Sequence, residues 1–133
     1  MSTDCVFCER IDTYQYEQTP YPEVVRFAPL KPVTVGHMLF VSRRHVEHAG
    51  YLPWVAGDCA EAASDYGMSL VGQVLHQNVK PVTGFNLITS AGRHATQTVM
   101  HLHVHVLPRY RDDGLVLPWT HQQREETTVA LRG

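Results

Sequence analysis

The strongest constraint on the fold is a short segment in the C-terminal third of the chain, where polar and apolar residues alternate. From His101 to Val106 a histidine stands at every second position, with an apolar residue after each one. Because successive side chains of a β-strand point to opposite faces, this pattern predicts a strand with one polar and one apolar face. We expect Pro108 to end that strand.

The rest of the chain predicts a mixture of strands and helices. β-Branched and aromatic residues predict further strands at 24–28, 37–42 and 84–89, and the loop between the first two favours antiparallel pairing. From Trp54 to about Lys80 apolar residues recur every three or four positions, which predicts one long helix. A single helical turn is expected at 7–11.

Composition limits the class of protein and its partners. The chain has 133 residues, which fits one domain, and its 11 basic and 13 acidic residues give a net charge of 11 − 13 = −2. That balance gives no general attraction to nucleic acid, and no apolar run approaches the roughly 18 residues that a membrane span requires. Three cysteines without a secretory signal favour the cytoplasm.

The three alternating histidines limit the chemistry. On a strand, His101, His103 and His105 would form a row about 13 Å long, too long for all three to bind one metal ion at about 2 Å. A cupin-type metal site needs an acidic ligand that the next residues do not supply, and a solvated surface row explains the pattern poorly. A neutral imidazole can instead attack phosphorus, with Gln97 and Thr98 as nearby hydrogen-bonding groups.

These residues resemble the signature of a known family. The segment His101-Leu102-His103-Val104-His105-Val106-Leu107 is similar to the motif of the histidine triad (HIT) family, and residues 5–110 resemble its members more widely. The resemblance implies an α+β fold, with an antiparallel sheet of about five strands and one long helix packed on it, in a homodimer. The HIT domain would span 1–110, including the N-terminal cysteine segment, and 111–133 would be a C-terminal tail. The other similar segments are Thr34-Val35-Gly36-His37, Arg43-Arg44-His45, Gly84-Phe85-Asn86, Ser90-Ala91-Gly92, Gln97-Thr98-Val99 and Pro108-Arg109.

The same resemblance implies roles for individual residues. His103 would attack the α-phosphorus of a nucleotide, His105 would bind a phosphate oxygen, and Gln97 would contact phosphate or the leaving group. The expected substrate contacts are Thr98, Ser90 at a common asparagine position, Thr96 at a frequent glycine position, Phe27 and Lys31. His37 would either support the row by a hydrogen bond or be a satisfied core histidine.

Pro29 departs from the family pattern. It stands where relatives that bind a purine nucleoside have an Asp or Asn for the ribose hydroxyls. Ribose recognition would therefore be weaker, or would come from elsewhere, such as Lys31 or a backbone carbonyl. Phe7, Val25, Phe27 and Leu39 are candidates for an apolar base pocket, although core packing explains them equally well.

Cys5 and Cys8 form a Cys-x-x-Cys pair with three interpretations: half of a zinc site, a redox pair, or two ordinary thiols. A redox pair needs a preceding strand that residues 1–4 cannot supply. The resemblance to bacterial zinc-containing HIT proteins implies that Cys5, Cys8, His45 and His101 bind zinc. Four protein ligands leave no open position, so the zinc would be structural. Cys59 is expected in the core, and His48, His76, His94 and His121 on the surface.

The sequence therefore predicts a cytoplasmic nucleotide hydrolase or nucleotidyl transferase. It would act on a nucleoside phosphoramidate or a dinucleoside polyphosphate through a nucleotidyl-His103 intermediate. The alternative is a nucleotide-binding module with little or no turnover. A metal-binding protein without enzymatic role would leave His103, His105, Gln97 and Thr98 unexplained.

Overall fold

A computed structural model describes residues 4–75 and 78–123. They form one antiparallel sheet of five strands in the order β1-β2-β3-β5-β4. This confirms the predicted α+β architecture of five strands with a long helix. The elements in chain order are α1 Val6–Asp12, β1 Glu17–Gln18, β2 Val24–Phe27, β3 Met38–Ser42, α2 Pro53–Leu70, β4 Gly84–Ile88, a 3-10 turn Arg93–Ala95, and β5 His103–Arg109.

The two faces of the sheet are covered by different helices. Helix α2 packs against one face, where Phe40 and Val104 belong to a buried cluster. Helix α1 contributes Phe7 to a second cluster that includes Leu39 and Val41. In the sheet register Leu39 pairs with His105 and Val41 with His103, and directly opposed residues point to the same face. The two β5 histidines therefore lie on the face that carries α1.

The long helix is shorter than its sequence pattern predicts. Helix α2 ends at Leu70, so the expectation of a helix to about Lys80 was wrong. Val71 has an extended backbone and forms a bridge with Val82, while Gly72 has a φ of +87°. The apolar spacing continues past Leu70, but these pairings with the approach to β4 replace the helical hydrogen bonds.

Strand β5 also differs from the prediction at both ends. Pro108 does not end it, because Pro108 pairs with Phe85 inside the strand. Strand β3 pairs with β5 only as far as Val106, so Pro108 lies where the strand has lost one neighbour and a missing N–H is tolerated. His101 precedes β5 and does not continue the row of histidines along it.

One strand was not recognised in the sequence. The Pro- and Tyr-rich connector at 14–22 contains β1, whose two exposed residues pair with Val25 and Arg26 of β2. In the parts of the chain that the structure describes, no helix is long and apolar enough to cross a membrane. His76, expected on the surface, lies outside the described residues.

Candidate active site and metal centre

A hydrogen bond to a nearby backbone carbonyl fixes His103 in one neutral tautomer. It is 8% exposed, and its Nδ1 lies 2.6 Å from the carbonyl oxygen of His101. Because a carbonyl oxygen only accepts hydrogen bonds, Nδ1 carries the ring proton and Nε2 keeps its lone pair. Burial lowers the pKa of His103, against the hydrogen bond to His101, which raises it. The neutral ring thus has the form that a nucleophile requires.

A chain of hydrogen bonds fixes His105 in the opposite form. The backbone N–H of Val33 donates to Nδ1 of His37 at 3.2 Å, so the His37 proton is on Nε2. That Nε2 lies 2.9 Å from Nδ1 of His105 and donates to it, which places the His105 proton on its own Nε2. His105 therefore offers an N–H donor where His103 offers a lone pair.

Burial favours the neutral form of the two histidine rings in this hydrogen-bonded series, His37 and His105. It lowers the pKa of His37, and together with the neighbouring His103 and His37 it lowers the pKa of His105 to about 4. His103 and His105 have their ring centroids 5.0 Å apart. Side by side, a lone pair and an N–H suit one group that attacks phosphorus and one that binds its oxygen.

Both histidines line a cavity of about 500 Å³ on the α1 face of the sheet. Most of the predicted site residues lie here, and the structure brings Gln97, Thr98, Ser90 and Thr96 together with the histidine pair. The lining also includes apolar residues from seven parts of the chain. They are Val6, Phe7, Pro29, Leu30, Val33, Leu39, Ile88, Val99, Leu107 and Leu115.

Two predicted substrate contacts are not in the described cavity lining. Phe27 is buried, with its ring edge-on to Phe7 at 5.3 Å and the Arg10 guanidinium 4.3 Å from its centroid. It packs against Phe7, and Phe7 itself lines the cavity. Lys31 is exposed and is likewise not among the lining residues.

The Gln97 side chain is used to order its own loop. It is 4% exposed, its Oε1 accepts from the N–H of Gly92 at 2.8 Å, and its Nε2 donates to the carbonyls of Glu47 and Val99. Both amide hydrogens therefore have backbone partners. In this arrangement Gln97 holds the loop that presents Thr98, and the catalytic contact expected of Gln97 itself stays a prediction.

Leu115 comes from the predicted tail and was not among the site residues that we predicted from the sequence. A corner built on Arg109 and Asp113 holds it there: the two pair through two hydrogen bonds of 2.8 and 3.0 Å. Asp113 also accepts from the backbone N–H of Leu115, and Arg109 donates to its carbonyl. In the sequence, only the i, i+4 spacing of Arg109 and Asp113 indicated that these two residues could form an ion pair.

A second cluster lies beside the first, at the N-terminus of α1. Cys5 and Cys8 bracket the start of this helix, His45 follows β3, and His101 precedes β5. Their ligand atoms all lie within 4.8 Å of one another. Nδ1 of His101 is 3.3 Å from Sγ of Cys5, and Nδ1 of His45 is 3.2 Å from Sγ of Cys8.

The donor set fits a tetrahedral zinc ion. Zinc bonds of about 2.0–2.3 Å place neighbouring nitrogen and sulfur ligands roughly 3.3–3.8 Å apart, close to the observed spacing. Nε2 of His101 donates to the carbonyl of Ser42 at 2.7 Å, which leaves the lone pair on the Nδ1 that faces the cysteines. Burial and the adjacent Cys5 raise the pKa of Cys8 to about 11, so a cation is needed to hold it as thiolate.

The two clusters meet at His101. Its ring faces the cysteines, while its backbone carbonyl accepts the hydrogen bond from Nδ1–H of His103. Phe7, which lies between Cys5 and Cys8 in α1, has its ring edge-on to His103 at 5.0 Å. The histidines predicted as one row thus divide between a candidate metal centre and a candidate reaction centre.

Comparison with known proteins identifies the family. The HIT domain profile matches residues 19–112. The chain belongs to the HIT family. An uncharacterised HIT-like protein of Methanocaldococcus jannaschii is 30% identical over 115 residues, which are 85% of this chain and 84% of the relative.

Solved structures of HIT proteins have the same fold. A HIT family protein from Bacillus anthracis has a TM-score of 0.70 and 27% identity, covering 100% of this chain and 99% of its own. A Zn-bound histidine triad family protein from Mycobacterium smegmatis has a TM-score of 0.75 and 25% identity, covering 88% and 83%. A HIT family hydrolase from Clostridium thermocellum has a TM-score of 0.65 and 24% identity, covering 88% and 100%.

Proposed function

We propose that this HIT protein is a nucleotide hydrolase or nucleotidyl transferase that acts at the α-phosphorus of a nucleoside phosphoramidate or a dinucleoside polyphosphate. The observation that carries the proposal is the hydrogen bond from His103 Nδ1 to the carbonyl of His101, which leaves Nε2 unprotonated in a substrate-sized cavity. The similar C. thermocellum protein is described as a hydrolase, which agrees with this assignment.

The reaction would take two steps through His103. The Nε2 lone pair attacks phosphorus and forms a P–N bond, while the bond to the leaving amine or phosphate breaks. The leaving group departs with the electron pair of that bond and takes a proton from solvent. The phosphorylated ring then carries a positive charge, which the Nδ1–H hydrogen bond to the His101 carbonyl stabilises. Water attacks the same phosphorus and the P–N bond breaks, so that its electron pair returns to Nε2. The nucleoside monophosphate is released, and the water gives up a proton to solvent.

The neighbouring polar groups would stabilise the charge on phosphorus. His105 donates from Nε2 to a non-bridging oxygen, because His37 occupies its Nδ1. The hydroxyls of Ser90 and Thr98 line the same cavity and are available as donors, whereas the Thr96 hydroxyl donates to the carbonyl of Ala95. Such fixed donors contribute much of the catalysis in phosphoryl transfer, where positioning and charge neutralisation dominate.

We also propose that Cys5, Cys8, His45 and His101 hold a structural zinc ion, as the M. smegmatis structure is described as Zn-bound. The metal would tie α1 to the sheet and has no part in the chemical steps. A closed set of four protein ligands leaves no position for substrate.

A homodimer is the expected assembly. Strand β4 is at the edge of the sheet and carries no charged residue or proline to prevent pairing with another strand. Its Leu87 and the helix residue Met68 are exposed apolar side chains. Light scattering after gel filtration should give twice the chain mass, and Leu87→Lys should shift the protein to the monomer. Cys5, Cys8 and Cys59 form no disulfide, which supports the proposed cytoplasmic location.

The proposed activity is tested by turnover of adenosine 5′-phosphoramidate and diadenosine triphosphate, followed by chromatography of the products. Wild-type protein should release AMP, and His103→Ala should lower kcat/KM on the order of a thousandfold or more. His121→Ala, which removes an exposed histidine, is the matched control and should keep full activity. Tight AMP binding with no turnover of either compound would favour the binding-module alternative.

A further inference from the structure

The substrate cavity divides into a small polar part and a larger apolar part. The polar groups are the histidines and the hydroxyls near the loop that Gln97 orders. The apolar side chains come mainly from α1, the loop after β2, strands β3, β4 and β5, and the tail. In the sheet register Leu39 and Ile88 both pair with His105, so they flank it on the same face. The phosphorus site is therefore bordered by aliphatic surface.

The cavity lining carries no formal charge. Among the described residues that line it there is no Asp, Glu, Lys or Arg. A single phosphoryl charge can be met by neutral N–H and O–H donors, but several adjacent charges would be removed from water without a cation to pair with them. A carboxylate acceptor for sugar hydroxyls is also missing from this described lining.

Apolar side chains at the mouth of the cavity are exposed to solvent. Leu30 is 93% exposed, Val33 56% and Val6 54%, and all three belong to the cavity lining. Single exposed apolar residues are common, but a group of them around a cavity marks a surface that a ligand covers. We refer to these three residues as the apolar rim.

We infer that this site takes a phosphoramidate with one charged phosphoryl group and an apolar amine, the amine lying against the apolar rim. The inference rests on the proposed function and chooses between its two substrate classes: polyphosphate-bridged dinucleotides are poor substrates here. The same aliphatic walls contact the sugar and base by their apolar surfaces, so the ribose diol contributes little to recognition.

The test uses phosphoramidates that differ only in the amine. Adenosine 5′-phosphoramidates of 2-phenylethylamine, methylamine and ethylenediamine are compared with diadenosine triphosphate, with Mg²⁺ in every assay. Wild-type kcat/KM should be at least about tenfold higher for the phenylethyl compound than for either other amine, since each buried methylene favours binding several-fold. Diadenosine triphosphate should be slower than all three.

Rim variants locate the effect. Val33→Ser and Leu30→Ser should reduce the preference for the phenylethyl amine over methylamine to within about threefold. Val79→Ser replaces a valine that is 90% exposed and is not in the cavity lining, and should keep the wild-type preference. If Val33→Ser and Leu30→Ser retain the full preference, the apolar rim is not the amine site.

A binding measurement separates this inference from the proposed function. Calorimetry on His103→Ala protein gives the affinities of the same compounds without turnover. A preference for the phenylethyl compound here, with no turnover by wild type, would overturn the proposed function and support the inference. Turnover that is equal for all amines, or fastest for diadenosine triphosphate, would overturn the inference and leave the function standing. If no compound binds, both are wrong.

Discussion

At the scale of single residues, the series of hydrogen bonds from Val33 through His37 to His105 determines the tautomer of His105. It makes His105 the hydrogen-bond donor to phosphate and leaves His103 as the nucleophile. The backbone N–H of Val33 fixes His37, and His37 fixes His105. His103 is fixed separately by the carbonyl of His101. Two adjacent histidines of the same strand thereby acquire opposite hydrogen-bonding roles, which neither ring would hold reliably in water.

His37 is therefore a positioning residue, and its replacement should change the tautomer of His105. In His37→Leu, Nδ1 of His105 loses its donor, so the ring can carry its proton on either nitrogen. We expect kcat/KM to fall about tenfold to a hundredfold, as with other groups that orient a ligand or catalytic histidine. The ¹⁵N spectrum of the His105 ring should show a mixture of the two tautomers.

His37→Gln provides the conservative control, because its side-chain N–H can still donate to His105. It should recover a substantial part of the activity, with unchanged zinc content. Full activity in His37→Leu would show that the hydrogen bond to His105 has no part in the reaction.

Thr96 adopts a backbone conformation that suits glycine. Its φ is +69°, in the left-handed region where a β-branched residue is strained. We expect Thr96→Gly to raise the free energy of unfolding by about 1 kcal/mol, measured by urea denaturation. Thr98→Gly, at a position without positive φ, should lower it. Destabilisation of both variants by the same amount would contradict the strain at Thr96.

The sequence predicts which histidines share a face of the strand better than it predicts where the strand begins. Alternation correctly places His103 and His105 on one face of a strand, because that face follows from the period of two. His101 leaves the row because the adjacent Leu102 bonds to the end of β3 and to the turn after it. The Leu102 N–H donates to the carbonyl of Val46, and the Leu102 carbonyl accepts from the N–H of Ser42. These are long-range contacts, and nothing in the local pattern reports them.

At the scale of elements, close packing between α2 and β4 depends on Gly67. A Cβ at Gly67 would lie 2.5–2.7 Å from the ring atoms of Phe85, closer than van der Waals contact allows. Glycine is unfavourable within a helix, so its presence here has a packing reason. It allows β4 and the helix that covers the sheet to approach each other.

We expect Gly67→Ala to destabilise the protein by about 1–3 kcal/mol, because α2 or the Phe85 ring must shift. The matched variant is Gly57→Ala in the same helix, where a Cβ would meet nothing within 4 Å. Gly57→Ala should instead stabilise by about 0.5–1 kcal/mol through helix propensity. Both are measured by urea denaturation, and a neutral effect of Gly67→Ala would mean that the contact with Phe85 is loose.

The order and type of the longer elements follow from sequence periodicity, while their ends do not. Strands β2, β3 and β4 were predicted within one or two residues, because their apolar content is high and turn residues flank them. The end of α2 at Leu70 depends on the bridge from Val71 to Val82, a pairing between segments. Strand β1 has two exposed residues and no apolar pattern to detect.

At the scale of the whole molecule, the candidate metal centre joins three distant parts of the chain. Cys5 and Cys8 come from the N-terminus, His45 from the turn after β3 and His101 from the approach to β5. Because α1 also brings Phe7 onto His103, binding of metal at the cysteines should order the neighbouring reaction centre.

Loss of the metal should therefore destabilise the fold. Protein purified without chelators should contain about one zinc per chain, and Cys8→Ser should lose most of it and unfold at a lower temperature, since structural zinc contributes folding free energy. Cys59→Ala removes a buried cysteine of the other core and should keep its zinc. Wild-type protein without zinc, or Cys8→Ser with full zinc content, would contradict the structural site.

The location of the two sites was predictable only in part. The resemblance of the motifs indicated which residues bind metal and which react, and the fold brings the predicted zinc ligands together. The apolar rim and the Leu115 wall depend on how the loop after β2 and the segment after Asp113 reach the cavity. Those approaches are set by tertiary hydrogen bonds.

The proposed reaction requires His103 to form a covalent bond to phosphorus. The most direct measurement is mass spectrometry of intact protein, quenched during turnover of adenosine 5′-phosphoramidate, followed by mapping of the modified peptide. We expect an adenylyl adduct on His103 that disappears as substrate is consumed and is absent in His103→Ala. Turnover without any adduct, or an adduct that persists in His103→Ala, would contradict it.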